Sequence, residues 1–457
     1  MIQRLANTLS RWSERWIPDP FVIAVLLTFV TMAVVWLVQG VDPITAVGQW
    51  GGRLNGDELY PNERGFWSLL TFAMQMCLTL VTGHALASAP AVRRGIAGLV
   101  DRVRTPRGAI VATALVAMLT ALLNWALGLV AGALMARAMG ESARRRGIRV
   151  HYPLLGAAGY AGLLIWHGGL SGSAPLKVTT ADQLASVLPK GMEVAPIPLS
   201  DTLGSGLNLA VNVGLLVLVP LLLVLMSPKP EDAKPAPELT RADDAGAADA
   251  ARAHVLDRSR LLGVVVAALA LGYVVMLVAR TGLEQLDLNT VNLFFLGLGI
   301  LLHGALIRYV EAVTDGARAC AGVILQFPFY AGIMGMMALS GLVGEIAHAI
   351  GEHASATSFG PLTFLAAGLV NLFVPSGGGQ FAIQGPIVIE AARELHVPLG
   401  KAVMAFCYGD QWTNMLQPFW ALPLLGITQL RAGQLIGYSA TLMLLVAPVF
   451  IVALLVF

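Results

Sequence analysis

An all-α protein that crosses a membrane many times is predicted by three observations. Hydrophobic residues make up 56% of the 457 residues and charged residues only 12%, with a mean hydropathy of +0.73. A soluble domain carries about a quarter charged residues, so most of this surface must face lipid. The apolar runs are long and lack the alternation of a lipid-facing strand, which selects helices over a barrel. Two apolar stretches and two spans are also interrupted by Asn, Gly and Pro in matched places. The predicted architecture is therefore an all-α polytopic membrane protein built of inverted repeats, with two re-entrant helical hairpins and two discontinuous helices. Net charge is only +2 and no basic cluster interleaves with aromatics, which excludes a nucleic-acid partner. Cys77, Cys320 and Cys407 stand far apart inside apolar stretches and read as small core residues, not metal ligands.

Residues 1–19 form an N-terminal segment in which Ile2, Leu5, Leu9, Trp12 and Trp16 recur at helical spacing, with Arg4, Arg11 and Arg15 on other faces. That pattern predicts an amphipathic helix on the inner membrane surface. The apolar run from Phe21 to Val38 is longer than a signal-peptide core and no A-x-A site follows, so it is expected to stay as a first span. Full crossings are expected at about 20–38, 66–88, 153–170, 204–226, 261–280, 290–307, 318–343, 402–425 and 434–457.

Two further apolar stretches, 108–136 and 361–390, are not simple crossings. The first has Arg93, Arg94, Arg102, Arg104 and Arg107 before it and Arg137, Arg144, Arg145, Arg146 and Arg149 after it. Two basic flanks belong on one cytoplasmic face. At this length the stretch is too short for two crossings of about 20 residues each, so it reads as a hairpin turning near Asn124. The second has Glu345, His348, Glu352 and His353 before it and Val374–Gln380 in its middle, a Pro-Ser-Gly-Gly-Gly sequence that no regular helix accommodates.

With the N-terminus cytoplasmic and the C-terminus outside, all Lys and Arg fall on the inner side except Arg53, Arg64, Lys177, Lys190, Arg280, Arg393 and Lys401. That is the orientation the positive-inside rule favours, and it suits a bacterial cytoplasmic membrane. Residues 227–259 lack aromatics and are rich in Pro, Ala and charge, as in a solvated or disordered loop.

The chain repeats itself. In 20–226 and again in 290–457 the order is two spans, a hairpin opening on an Asn (Asn124, Asn371), a span broken before a proline, and a closing span. The breaks are His167–Pro175 and Gly409–Pro418. Residues 227–289 carry the linker and one extra span, which inverts the second unit. Non-helical backbone at membrane depth is tolerated only where it is buried in protein or lines a wet cavity. Helix N-termini there suit an anion, and carbonyls released by unwinding suit Na⁺.

Asn124, Ser171, Ser173, Asn371, Ser376, Gly377, Gly378, Gln380, Thr413 and Asn414 are the candidate substrate contacts. The polar side chains among them bind a carboxylate or Na⁺, or only cap exposed backbone. Asp410 is the acid placed deepest in a span and is a coupling candidate. His167 opens a break and is a second coupling candidate or a structural histidine. A Na⁺ site is expected near Asn124, Ser171, Asn371 and Asp410. No Lys or Arg falls within a break, so a carboxylate there would be held by amides, hydroxyls and dipoles. Gly128 and Gly132 form a GxxxG spacing, read as close packing within the hairpin.

Enzyme signatures are missing. Gly169-Leu170-Ser171-Gly172-Ser173 lacks the last glycine of a nucleophile elbow, His348–His353 has the wrong spacing for a zinc protease, and Gly377-Gly378-Gly379 has no following Lys-Ser/Thr. No motif calls for a cofactor beyond a coupling ion.

The run Asn371–Phe381 (NLFVPSGGGQF), then Gly385-Pro386, then Tyr408–Trp420 (YGDQWTNMLQPFW), resembles the bacterial short-chain fatty acid uptake family of the ion-transporter superfamily. The opening Trp16-Ile17-Pro18-Asp19-Pro20-Phe21 and the stretch His167–Pro175 also fit. The resemblance implies a secondary symporter, not an enzyme, for a small monocarboxylate such as butyrate or acetoacetate. It further implies H⁺ or Na⁺ coupling, a homodimer embedded in lipid, and an elevator motion.

Overall fold

Helix starts in this chain are set by proline and by short polar caps. Pro43, Pro90, Pro106, Pro153 and Pro418 occupy first-turn positions, where the missing N–H is lost without cost. Thr105, Ser205 and Ser259 accept from backbone N–H groups at helix starts, as N-caps do. The computed structural model describes residues 2–16, 18, 20–52, 65–185, 194–237, 255–282, 288–342, 344–345, 354–374 and 377–457.

In chain order the helices are α1 Ile2–Trp16, α2 Pro20–Gln39, α3 Pro43–Gly51, α4 Leu70–Ser88, α5 Pro90–Arg102, α6 Pro106–Leu123, α7 Trp125–Arg145, α8 Tyr152–Tyr160, α9 Ser173–Lys177, α10 Ala181–Ala185 and α11 Gly206–Leu225. After the linker come α12 Arg260–Thr281, α13 Leu288–His303, α14 Leu306–Leu339, α15 Phe359–Asn371, α16 Gly377–Glu394, α17 Leu399–Thr413, α18 Pro418–Thr428 and α19 Ala432–Val456. Among the described residues, six helices are long and apolar enough to cross a bilayer: Phe21–Gln39, Pro106–Leu123, Gly206–Leu225, Arg260–Thr281, Cys320–Leu339 and Ala432–Val456.

Several expectations change. The two discontinuous helices are as expected, α8 passing into 3₁₀ turns at Ala161–Leu164 and Trp166–Gly168 and α17 into one at Asn414–Leu416, but the Gly377-Gly378-Gly379 run expected to lie outside regular helix opens helix α16. The span expected at 290–307 stops at His303, where Gly304 takes φ +75°, a left-handed conformation that favours glycine. The span expected at 318–343 begins about a dozen residues earlier. Leu306–Leu339 is one helix of 34 residues, about 51 Å at 1.5 Å per residue, well beyond a hydrocarbon core of about 30 Å. Its first turns carry Arg308, Glu311, Asp315 and Arg318, whose charge hid the helix from a hydropathy reading.

The first hairpin is an antiparallel pair, α6 against α7. Gly128 abuts Ala121, and a Cβ on Gly132 would stand 2.8 Å from that of Ala117, so the GxxxG glycines do pack within the hairpin. The arms have 18 and 21 residues, more than the apolar stretch alone suggested, because both run into their basic flanks. Helix α1 lays Ala6 and Ser10 on α19, with Gly437 directly against Ser10, while Leu5 stays 40% exposed.

The linker is not solvated throughout. Lys234 donates its N–H to His151 Nδ1 at 3.1 Å and accepts from the Tyr152 N–H at 2.8 Å. Ala236 is buried over Gly140. Burial, with the Lys234 charge, pushes His151 down to about 4, so its ring is neutral and free to accept the Lys234 N–H. Residues 238–254 of the linker lie outside the described residues.

Two groups of helices emerge. Helices α2, α3, α4, α12, α13 and α14 pack together, with Thr79 Oγ1 donating to Asn292 Oδ1 at 2.7 Å between α4 and α13. Helices α6–α9, α11 and α15–α19 form the other group. The groups meet where Gly83 of α4 touches Ala126–Leu127 of α7 and Gly322 of α14 touches Leu422 of α18. Within the second group one contact occurs twice. Gly162 seats against the carbonyl of Ala117, and Gly409 against that of Phe364. The pairs Ala117/Phe364, Asn124/Asn371, Gly162/Gly409 and Gly168/Met415 share one constant sequence offset.

Candidate functional site

Unwinding α8 and α17 frees backbone carbonyls, and side chains from elsewhere pair with them. Asn208 and Asn212 of α11 donate through Nδ2 to Gly168 O at 2.9 and 3.1 Å. At the equivalent place in the second half, Ser439 of α19 donates to Met415 O at 2.7 Å. The breaks also brace each other. Tyr160 donates its hydroxyl to Asn414 O at 2.8 Å and Gln417 O at 2.9 Å. The His167 N–H donates to Gln411 Oε1 at 3.1 Å. Each of these bonds satisfies a group whose burial unpaired costs roughly 1–3 kcal/mol. The expectation of free carbonyls for a cation is corrected at these positions.

His167 and Asp410 join the halves directly, with Nδ1 3.2 Å from Oδ1 and both side chains essentially fully buried. The Ala174 N–H donates to His167 Nε2 at 3.1 Å. Nε2 is therefore an acceptor, and Nδ1 carries the proton and donates it to Asp410. Trp166 stacks on the ring at a centroid distance of 4.3 Å.

Asn124 is fully buried and caps α7, its Oδ1 accepting from the Ala126 and Leu127 N–H groups at 3.0 Å each. Ser171 accepts the Trp125 N–H at 2.9 Å. The first N–H groups of α7 are thus taken by protein. Ser173 Oγ lies 3.3 Å from His167 Nε2. Asn371 Nδ2 lies 2.7 Å from Asp410 O, 2.9 Å from Thr413 Oγ1 and 2.9 Å from Asn414 Oδ1, facing three acceptors at once. Gln380 donates to Ala367 O at 2.8 Å and Gln384 Oε1 at 2.9 Å. Gly377 seats against His167 and Ser173, where a Cβ would come within 2.7 Å of the imidazole. Ser376 lies outside the described residues. Of the residues expected around Na⁺, Ser171 bonds the N–H of Trp125, next to Asn124 in the chain, Asn371 bonds Asp410 O, and the His167 bond ties that second pair to the first break.

Some buried polar atoms in this region have no hydrogen-bond partner among the described residues. Five are acceptors: Asn212 Oδ1, Asn371 Oδ1, Gln380 Oε1, Asp410 Oδ2 and Gln417 Oε1. Three are donors: Asn124 Nδ2, Trp166 Nε1 and Gln411 Nε2. The orientation of every one of these amides is set by the backbone group that its other end meets. Four of the five acceptors sit on the second hairpin and second broken span, and Asn212 Oδ1 lies beside the first break. Two of the three donors sit in the first half.

Tyr160, Asn208, Asn212, Gln411, Gln417 and Lys177 are participants that the motif reading missed. Gln411 and Gln417 stood within a break and were visible there. The others had no local signal. Lys177, placed outside the site by sequence, reaches the second hairpin and donates to Gly378 O at 3.1 Å, so a cation does adjoin the breaks.

A helical membrane protein with several buried, unpaired polar atoms at two interlocked helix breaks has the build of a transporter. The sequence profile described as short chain fatty acid transporter matches residues 1–457, and the chain belongs to that family. An Escherichia coli K12 protein provisionally named as a short-chain fatty acid transporter is 39% identical over 462 residues, covering 100% of both chains. A Haemophilus influenzae protein with the same provisional name is 38% identical over 469 residues, covering 99% of each. Among solved structures, the Alcanivorax borkumensis YdaH transporter aligns over 95% of this chain and 98% of its own, with TM-score 0.45 and 16% identity. The Neisseria gonorrhoeae MtrF efflux pump aligns over 98% and 97%, with TM-score 0.44 and 14% identity.

Proposed function

We propose that the protein is a cation-coupled symporter that carries a short-chain carboxylate, such as butyrate or acetoacetate, across the bacterial cytoplasmic membrane. The observation that carries this reading is the separation of unpaired buried atoms into donors and acceptors. A carboxylate needs donors, and Asn124, Trp166 and Gln411 supply them. A hard cation or a proton needs oxygens, and Asn371, Gln380, Asp410 and Gln417 supply those. Family membership supports the carboxylate, and the preferred chain length is a matter for measurement. The test is uptake of labelled butyrate into proteoliposomes with Na⁺ and pH gradients imposed separately. One gradient should drive accumulation. Uptake that needs ATP and ignores both gradients would overturn the reading, and accumulation of another organic anion in place of short-chain carboxylates would redirect it.

The two halves are read as inverted repeats of 20–226 and 290–457, with hairpins entering from opposite faces and the N-terminus inside. Cysteines at exposed Arg149 and Thr357 should react with a membrane-impermeant thiol reagent from the inside and the outside, respectively. Labelling of both from one face rejects the arrangement. The group holding both breaks is read as the moving body and α2–α4 with α12–α14 as its scaffold. A Cβ on Gly83 would lie 3.6 Å from that of Ala126 across their border, within disulfide range. The double variant Gly83→Cys, Ala126→Cys should therefore form a bridge on oxidation and stop transporting until it is reduced. Undiminished transport by the oxidised protein rules out sliding at this border.

A further inference from the structure

We propose that Lys177 selects the charge of the substrate: its ammonium, held on the carbonyl of Gly378 at the tip of the second hairpin, receives the substrate carboxylate. Ser173 and Lys177 are four residues apart on α9 and so share one face. That face meets the hairpin tip, with Gly377 against Ser173 and His167, and Gly378 against the Lys177 side chain. The ammonium is half-buried and its bond to Gly378 O is 3.1 Å. No carboxylate among the described residues pairs with it. A partly desolvated ammonium with one neutral acceptor is under-satisfied, since burial of charge is offset only by pairing. It has three N–H donors, and a carboxylate acceptor makes a bond about twice as strong as a carbonyl does. The ammonium therefore favours an arriving carboxylate over Gly378 O, and the exchange frees the hairpin tip from its tether. An uncharged substrate of the same shape gains nothing from it and leaves the tether in place.

This rests on the short-chain carboxylate reading. The experiment compares wild type, Lys177→Gln and Lys177→Arg in proteoliposomes, measuring KM and maximal rate for butyrate and the inhibition of butyrate uptake by butyramide. Lys177→Gln should raise KM for butyrate about 10- to 100-fold, the size of one charge-assisted bond. Lys177→Arg should recover most of that loss. Butyramide should compete with butyrate in the Gln variant but not in wild type. An unchanged KM in Lys177→Gln overturns the proposal, as does a Gln variant and an Arg variant impaired alike, which would mark a tether without charge selection. Should the Gln variant not yield folded protein, wild type alone decides: butyramide inhibiting as strongly as unlabelled butyrate also overturns it. Wild type taking up no short-chain carboxylate would instead remove the reading on which the proposal stands.

Discussion

Asp410→Asn is expected to fold, reach the membrane and lose gradient-driven accumulation of substrate, with the accumulation ratio falling to about 1 while facilitated exchange survives. The side chain is 1% exposed. One carboxylate oxygen accepts from His167 Nδ1 at 3.2 Å and the other has no partner among the described residues. The Asn side chain keeps an oxygen for that histidine, so the bond joining the halves is preserved. What it loses is the negative charge and the second oxygen. A buried carboxylate has two stable states, coordinated to a cation or protonated. Either neutralises the site and removes like-charge repulsion against an incoming carboxylate. Under the symport proposed above, substrate and cation then favour each other's binding by a coupling of about 1–3 kcal/mol. Asn offers neither state, so the coupling disappears. The measurement is uptake against imposed Na⁺ and pH gradients, with exchange of preloaded substrate as control. Normal accumulation at every pH and Na⁺ concentration would make Asp410 structural. His167, bonded to Asp410 at 3.2 Å, is then the next candidate.

Gly409→Ala is expected to cost about 3 kcal/mol or more of stability, at the upper end of what overpacking does. The glycine seats against the Phe364 carbonyl, and a Cβ there would also lie 2.8 Å from the Ala367 Cβ and 2.8 Å from the Gly368 N. The nearest obstructing atoms are backbone, which cannot turn aside as a side chain does. Relief requires moving α15 off α17, and that pulls Asn371 away from Asp410 O, Thr413 and Asn414. Gly162→Ala meets the Ala117 carbonyl in the same way at 2.7 Å and should behave alike. Gly98→Ala is the control: open space surrounds it on α5, and the change should be neutral or stabilising by about 0.5–1 kcal/mol. Melting of purified protein in detergent reads all three. A Gly409→Ala protein that melts with wild type would show that the α15–α17 contact is looser than described.

The breaks were legible because they are local. His167–Pro175 gathers Gly168, Gly169, Gly172 and Pro175, and Gly409–Pro418 sets polar residues and a Pro into an apolar span. Asn124 and Asn371 were visible as polar residues within apolar hairpins, though only the fold separates their roles. Asn124 spends its oxygen capping α7, while Asn371 spends its nitrogen on the second break. Tyr160 gave no signal because an aromatic in an apolar span looks like core until its hydroxyl is seen bridging two carbonyls on a segment 254 and 257 residues away. Lys177 was read as an exposed charge beyond a span for the same reason: its partner, Gly378, is 201 residues distant. The long helix α14 was shortened in the reading because hydropathy reports where a helix meets water, not where it ends.

Hydropathy and backbone chemistry are sums over neighbouring residues, so the sequence by itself determined that this chain is a helical membrane protein and marked where two of its spans break. Pairing across hundreds of residues is not such a sum. Which carbonyls remain open, which nitrogen of His167 holds the proton, and which cation stands over the second hairpin were decided only when the two halves packed together, because each is a contact between side chains and backbone that no local window contains.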